Sequence, residues 1–327
     1  MLGWPQESAP VIERGEGSWL IDTEGRRYLD GVSSLWVTVH GHNHPQINRA
    51  VREQLEKISH STMLGLGNVP AAALAGRLVG IAPQGLTRVF FSDNGSTAVE
   101  VALKLAYQYR QLSPDPAERK KKGFISFRNA YHGDTLGSVS VGGIDLFHSA
   151  FRDLVFPVKF AGYPYYYRCA AGRSRPEYLE HCLISLEELL QDAAGETCAL
   201  IIEPLVQGAG GMITSGPGFL AGVRELCSRY DIHLIADEVA TGFGRTGRMF
   251  ACEHEDVRPD FLCLAKGLTG GYLPMAATLT TEQVYRRFLG TAEKPGVFYH
   301  GHSFTGNPLS AAAALASLDV FETERVL

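Results

Sequence analysis

Three runs decide how this chain is read: Ala199-Leu-Ile-Ile-Glu203, Ile232-His-Leu-Ile-Ala-Asp237 and Phe261-Leu-Cys-Leu-Ala-Lys266. None alternates apolar with polar residues, so none offers one wet and one dry face. Each is short, and each ends on a charged residue. Runs of this kind predict strands buried on both faces. A helix is predicted near Gly218 to Tyr230, between the first two. Strands separated by helices imply an α/β fold with a mostly parallel central sheet and helices on both faces.

The same pattern extends outward. Arg88-Val-Phe-Phe-Ser92 and Gly123-Phe-Ile-Ser-Phe127 predict further strands. Ser96 to Gln111 predicts a helix with Ala98, Val101, Ala102, Leu105 and Tyr109 on one face. Other helices are predicted over Val69 to Ile81, Pro176 to Asp192 and Asn307 to Phe321. One more starts at Pro45, with Ile47, Val51, Leu55 and Ile58 at spacings of four and three. Gly17 to Asp30 predicts two short strands joined by a turn at Glu24-Gly25. Pro157 to Arg175 is aromatic, basic and irregular, and ordinary packing explains its tyrosines at least as well as a pocket does.

Among 327 residues, 45% are hydrophobic and 20% charged, the balance of a soluble globular protein. A net charge of -5 excludes a global basic field for nucleic acid or anionic membrane. No apolar run reaches membrane-spanning length and the start lacks a signal-like pattern, so a cytoplasmic location is expected. The six cysteines, Cys169, Cys182, Cys198, Cys227, Cys252 and Cys263, form no C-x-x-C pair and read as buried reduced thiols.

Open α/β sheets keep their chemistry at the carboxyl ends of strands, which selects Ser92-Asp93, Glu203, Asp237-Glu238 and Lys266. Asp93-Asn-Gly-Ser-Thr-Ala-Val-Glu100 joins a strand to a helix through a glycine. The N–H groups of Gly95 and Ser96 at that helix start would suit a phosphate, although on these residues alone a plain capped turn is the favoured reading. Thr97 and Glu100 have capping-box spacing. Asp237 at the end of an apolar strand needs a cationic partner, either a structural one or a ligand's. Gly242-Phe-Gly-Arg-Thr-Gly247 matches G-x-G-x-x-G, but no helical face follows, so the dinucleotide reading is rejected. Lys266 either snorkels out or uses a depressed pKa to attack an aldehyde. His40, His42, His44, His300 and His302 lack H-x-x-x-H spacing and nearby thiolates, so they read as structural and no metal is expected. There is no G-x-S-x-G elbow and no Walker A motif.

An ordered series runs through the chain: Asn94-Gly-Ser96, Tyr131-His-Gly133, Ile202-Glu-Pro204, Asp237-Glu-Val239, Thr241-Gly-Phe-Gly-Arg-Thr-Gly247 and Leu264-Ala-Lys-Gly267, with Lys266 29 residues after Asp237. This series resembles the class III, fold-type-I aminotransferases that use pyridoxal phosphate. The resemblance implies a large cofactor domain over residues 33–322, residues 1–32 as part of a small α+β domain, and residues 323–327 as the start of its C-terminal continuation. Family members run on beyond that point and carry an arginine there that grips the substrate carboxylate. They also carry a pocket tyrosine before the position of Trp4.

Roles follow from the same resemblance. Lys266 would be the catalytic lysine that carries pyridoxal phosphate as a Schiff base and shuttles the proton in a ping-pong transamination. Gly95 and Ser96 would hold the phosphate, Asp237 the pyridine nitrogen, and Val239 and Tyr131 the ring. Leu35, Trp36, Tyr131, Lys266 and Gly301 would meet the substrate. His302 and Ser303, with Gly301, would reach the phosphate of a neighbouring subunit, which implies a homodimer with shared sites. Asp30-Gly-Val-Ser-Ser-Leu-Trp-Val37, His40-Gly-His-Asn-His-Pro45, Ala240 and His300-Gly-His-Ser-Phe-Thr-Gly-Asn-Pro308 are similar to members that aminate 8-amino-7-oxononanoate in biotin synthesis. Leu35 and His302 resemble a subgroup in which lysine competes with S-adenosylmethionine as amino donor. The alternatives are a class III enzyme for other ω-amino acids or diamines, and an inactive cofactor-binding remnant.

Overall fold

The computed structural model describes residues 9–168, 174–291 and 296–327; Trp4 and Cys169 lie outside them. At the N-terminal end β1 (Ile12–Glu16), β2 (Trp19–Asp22) and β3 (Arg27–Leu29) form an antiparallel sheet in that order. The expected turn at Glu24-Gly25 stands, with Asp22 accepting the Glu24 and Arg26 N–H groups at 3.0 and 2.9 Å. Sequence reading missed β1, whose residues are mostly exposed and carry no periodic apolar signal.

The main sheet consists of β4 (Leu86–Ser92), β5 (Gly123–Phe127), β6 (Lys159–Ala161), β7 (Thr197–Ile202), β10 (His233–Asp237), β11 (Phe261–Leu264) and β12 (Ala276–Thr281). A two-stranded ribbon, β8 (Val206–Gln207) and β9 (Ile213–Thr214), lies beyond the end of β7. The spatial order is β4-β12-β11-β10-β7-β5-β6, with β12 antiparallel to both neighbours and the other paired strands parallel. The mostly parallel sheet read from the three apolar runs is therefore the observed one.

The runs lack alternation because both faces are covered. Ile201, Ile235, Phe261 and Cys263 pack toward Ala98, Val101, Ala102 and Leu105 of the helix Gly95–Gln111. Leu200, Ile202, Leu234, Leu262 and Leu264 join the opposite layer with the helices Val69–Ile81, Arg175–Ala193, Phe219–Arg229 and Pro308–Thr323. Each large apolar side chain buried there contributes about 1.5–3 kcal/mol. Cys182, Cys198, Cys227, Cys252 and Cys263 are all free and buried, as expected.

Three local expectations are corrected. The helix from Pro45 ends at Leu55, so Ile58 lies beyond it; both residues are exposed, and only Ile47 of the proposed stripe is fully buried. The capping box is built by Asn94 and Thr97, not by Thr97 and Glu100: Asn94 accepts from Thr97 N, and Thr97 Oγ1 accepts from Asn94 N at 3.0 Å. Glu100 instead accepts from Thr135 Oγ1 and Gly137 N at 2.6 and 2.7 Å. Pro157–Arg175 also contains β6 and a 3₁₀ turn at Tyr166–Arg168; Tyr163 is buried against Phe127 and Phe219. No helix among the described residues is long and apolar enough to cross a membrane.

Candidate active site

The carboxyl ends of β4, β7, β10 and β11 open on one cavity of about 440 Å³. Its lining includes Trp36, Gly95, Ser96, Tyr131, Glu203, Asp237, Val239, Ala240 and Lys266. Four site residues expected from sequence stand elsewhere: Leu35 is 63% exposed, and Gly301, His302 and Ser303 lie on a loop that does not line this cavity.

Lys266 follows β11 by two residues at φ +47, a left-handed conformation uncommon outside glycine, and opens a 3₁₀ turn. Burial holds its ammonium below the ordinary lysine range; Asp237 and Glu203 work against that shift, and Arg245 adds to it. Its Nζ lies 4.7 Å from the centroid of the Trp36 ring. A lysine in this state is a better nucleophile than a solvated one.

Asp237 closes β10. One oxygen accepts the Val239 N–H at 3.1 Å, and the other meets His132 Nδ1 at 2.7 Å. The structure thus supplies a cationic-capable partner that sequence reading never singled out. His132 lay inside the Tyr131-His-Gly133 motif but 105 residues from Asp237, so no local pattern linked them. Its Nε2 is buried with no partner among the described residues.

Glu203, one residue beyond β7, accepts Tyr131 N–H at 3.0 Å and Gly208 N–H at 2.9 Å. Burial outweighs those bonds and pushes its carboxyl up to about 7. The Tyr131 hydroxyl donates to Asp134 at 2.8 Å, and burial raises its pKa.

The helix Gly95–Gln111 begins at the cavity wall. Its cap occupies the Thr97 N–H and leaves those of Gly95 and Ser96 at the first turn, where a helix has no donors' partners of its own. A Cβ on Gly95 would lie 2.6 Å from Val239 Cγ1, so only glycine lets the helix start and Val239 face each other this closely. Gly133, at φ +120, brings the Tyr131 loop against Ser96, whose Oγ accepts the Asp134 N–H at 3.2 Å. An anion-binding end, a held carboxylate and a depressed lysine therefore share one cleft, which suits a flat, phosphorylated aldehyde. Four of the five histidines weighed for a metal have side-chain hydrogen-bond partners, His40 with Ser317, His42 with Asp30, His44 with Glu324 and His300 with Lys104, and the His302 ring packs edge-on against His300.

Residues 4–327 match the family model "Aminotransferase class-III". The chain is 57% identical over its full length to an adenosylmethionine-8-amino-7-oxononanoate aminotransferase of Geobacter sulfurreducens, covering 72% of that protein. It is 55% identical over its full length to the protein of that name from Nitratidesulfovibrio vulgaris, covering 60% of it. Among solved structures, the Methanocaldococcus jannaschii protein of the same name superposes with a TM-score of 0.90 at 46% identity, over 98% of this chain and 70% of that one. An amine transaminase from an uncultivated Pseudomonas species gives 0.93 at 39%, over 99% and 73%.

Proposed function

This chain belongs to the class-III aminotransferases, which depend on pyridoxal phosphate, and from that premise we propose that it converts 8-amino-7-oxononanoate to 7,8-diaminononanoate in biotin synthesis, with S-adenosylmethionine or lysine as amino donor. The observation that carries the chemistry is the shared cleft of Lys266, Asp237 and the open helix start at Gly95. The substrate assignment rests on the relatives' common name and on the motifs around Trp36 and His302.

The residues fit the cofactor. When bound, it supplies an aldehyde for the substrate amine and a protonated ring that draws off electrons. Gly95 and Ser96 would bind its phosphate through backbone N–H groups. Asp237 would hold the proton of the ring nitrogen, and His132 Nδ1 fixes the direction of that carboxylate. Val239 and Tyr131, both in the cavity wall, would hold the ring. Lys266 would supply the free amine that holds the cofactor, and its Nζ would carry the substrate's proton as general acid and base. Trp36 and Tyr131 wall the substrate side and exclude water.

The loop with Gly301, His302 and Ser303 stands apart from this chain's own cavity, which supports its reaching a second copy. Leu64, Leu66, Tyr299 and Phe304 are exposed on segments held together by His60–Phe304 and Asn68–Gly306 contacts. A homodimer would cover them.

Borohydride reduction of the cofactor-loaded chain should fix one pyridoxyl group on Lys266, read by peptide mass, and none in Lys266→Ala. The loaded protein should then form 7,8-diaminononanoate from 8-amino-7-oxononanoate with one of the two donors. Amine transaminases share this backbone equally well, so turnover of aliphatic amines or ω-amino acids alone would replace the substrate assignment.

A further inference from the structure

Ser33, Ser34, Leu35 and Trp36 have φ values of 49, 44, 66 and 70°. With ψ of 47° at Ser34 and 58° at Leu35, the segment is a turn of left-handed helix made without glycine. Such backbone is unfavourable for every L-residue with a Cβ, so four in succession persist only where the surroundings impose them.

The restraint is visible. The Asp30 side chain is 3% exposed, and both its oxygens are engaged. Oδ1 accepts the Ser34 N–H at 2.9 Å; Oδ2 accepts the Ser34 hydroxyl at 2.8 Å and meets His42 Nε2 at 2.8 Å. Burial works against the Asp30 charge, yet these bonds outweigh it and hold the carboxyl below its ordinary range. His42 is itself anchored, its backbone exchanging hydrogen bonds with Gly17 at 2.7 and 3.2 Å. At its far end, the turn delivers the Trp36 indole against Lys266 Nζ.

We infer that Asp30, which lies outside the catalytic cavity, is a positioning residue: by clamping residues 33–36 in a left-handed turn it sets Trp36 over the Lys266 amine. The inference rests on the reading of Lys266 as the reactive lysine. Without the clamp the turn relaxes to right-handed or extended backbone, and the next side chain no longer points at the amine.

The test uses the cofactor-free chain and reads Lys266 alone. Acetylation by acetic anhydride at one fixed pH is followed by peptide mass spectrometry, with exposed Lys57 as internal reference. Trp36→Leu should speed Lys266 modification relative to Lys57 by roughly three- to tenfold, the range expected for losing a cation–π contact. Asp30→Ala should approach that value, and Asp30→Asn, which keeps one acceptor for Ser34 N–H, should fall between. General loosening of the fold would move other buried lysine sites as well, so Lys121 serves as a second reference. If Asp30→Ala does not fold, as judged by circular dichroism, Asp30→Asn and Ser34→Ala decide the matter. Wild-type rates in the Asp30 variants that fold, beside a fast Trp36→Leu, would overturn the inference, as would a Trp36→Leu rate equal to wild type. Failure of the wild-type chain to take up pyridoxal phosphate would reject the proposed function and leave this series interpretable.

Discussion

Lys266 sits at a backbone angle that few lysines adopt, against the face of an indole and in the electrostatic field of the Asp237 and Glu203 carboxylates. Its depressed pKa comes first from burial, so the neutral amine exists at lower pH than in water. Asp237 needs orientation rather than depth, and His132 provides it through a single short bond. Replacing His132 with Ala should leave the cofactor on Lys266 while lowering kcat about 10–100-fold, the worth of a hydrogen bond to a charged group; steady-state kinetics beside the borohydride assay checks both halves. Leu35 also bears on stability. It is exposed at φ +66, so Leu35→Gly should raise stability by roughly 0.5–1 kcal/mol, seen as a higher urea midpoint.

At the level of elements, the helix Gly95–Gln111 performs two tasks. Its apolar face packs on the sheet, and its first turn faces the cavity. Asn94 caps it by accepting from Thr97 N at 3.1 Å. Asn94→Ala should cost about 1 kcal/mol in urea unfolding, and it should also weaken pyridoxal phosphate binding in a fluorescence titration, because the turn that frays is the one proposed to hold the phosphate. The periodicity of this helix was plain in sequence, whereas its cap was misread by one turn: Thr97 and Glu100 have the right spacing, but Asn94 already occupies the N-cap. Spacing alone does not say which polar residue precedes the first helical φ and ψ. The strand β1 escaped notice for a related reason, since an exposed ribbon needs no apolar pattern.

For the whole molecule, buried titratable groups couple stability to pH. His233 on β10, against Tyr109 and Phe261, has its pKa lowered to about 4, first by burial. The unfolded chain takes up a proton near pH 6.5 and the folded one does not, so stability present above pH 6.5 is lost as pH falls toward 4, by about 3 kcal/mol. His233→Phe should flatten that acid limb in urea titrations at several pH values. Glu203 acts in the opposite sense: its carboxyl, raised to about 7, stabilises the fold below pH 4.5, and that contribution is lost as pH rises through 7.

Taken by itself, the sequence determined the buried strands, their helices and the residues at the strand ends, because those follow from short-range periodicity and from the chemistry of a charge closing an apolar run. Only the tertiary structure decided that His132 holds Asp237, that Glu203 ties Tyr131 to Gly208, and that a left-handed turn lays Trp36 on Lys266. Those pairings depend on strand order and loop path, which bring together residues far apart in the chain, and no local spacing encodes them.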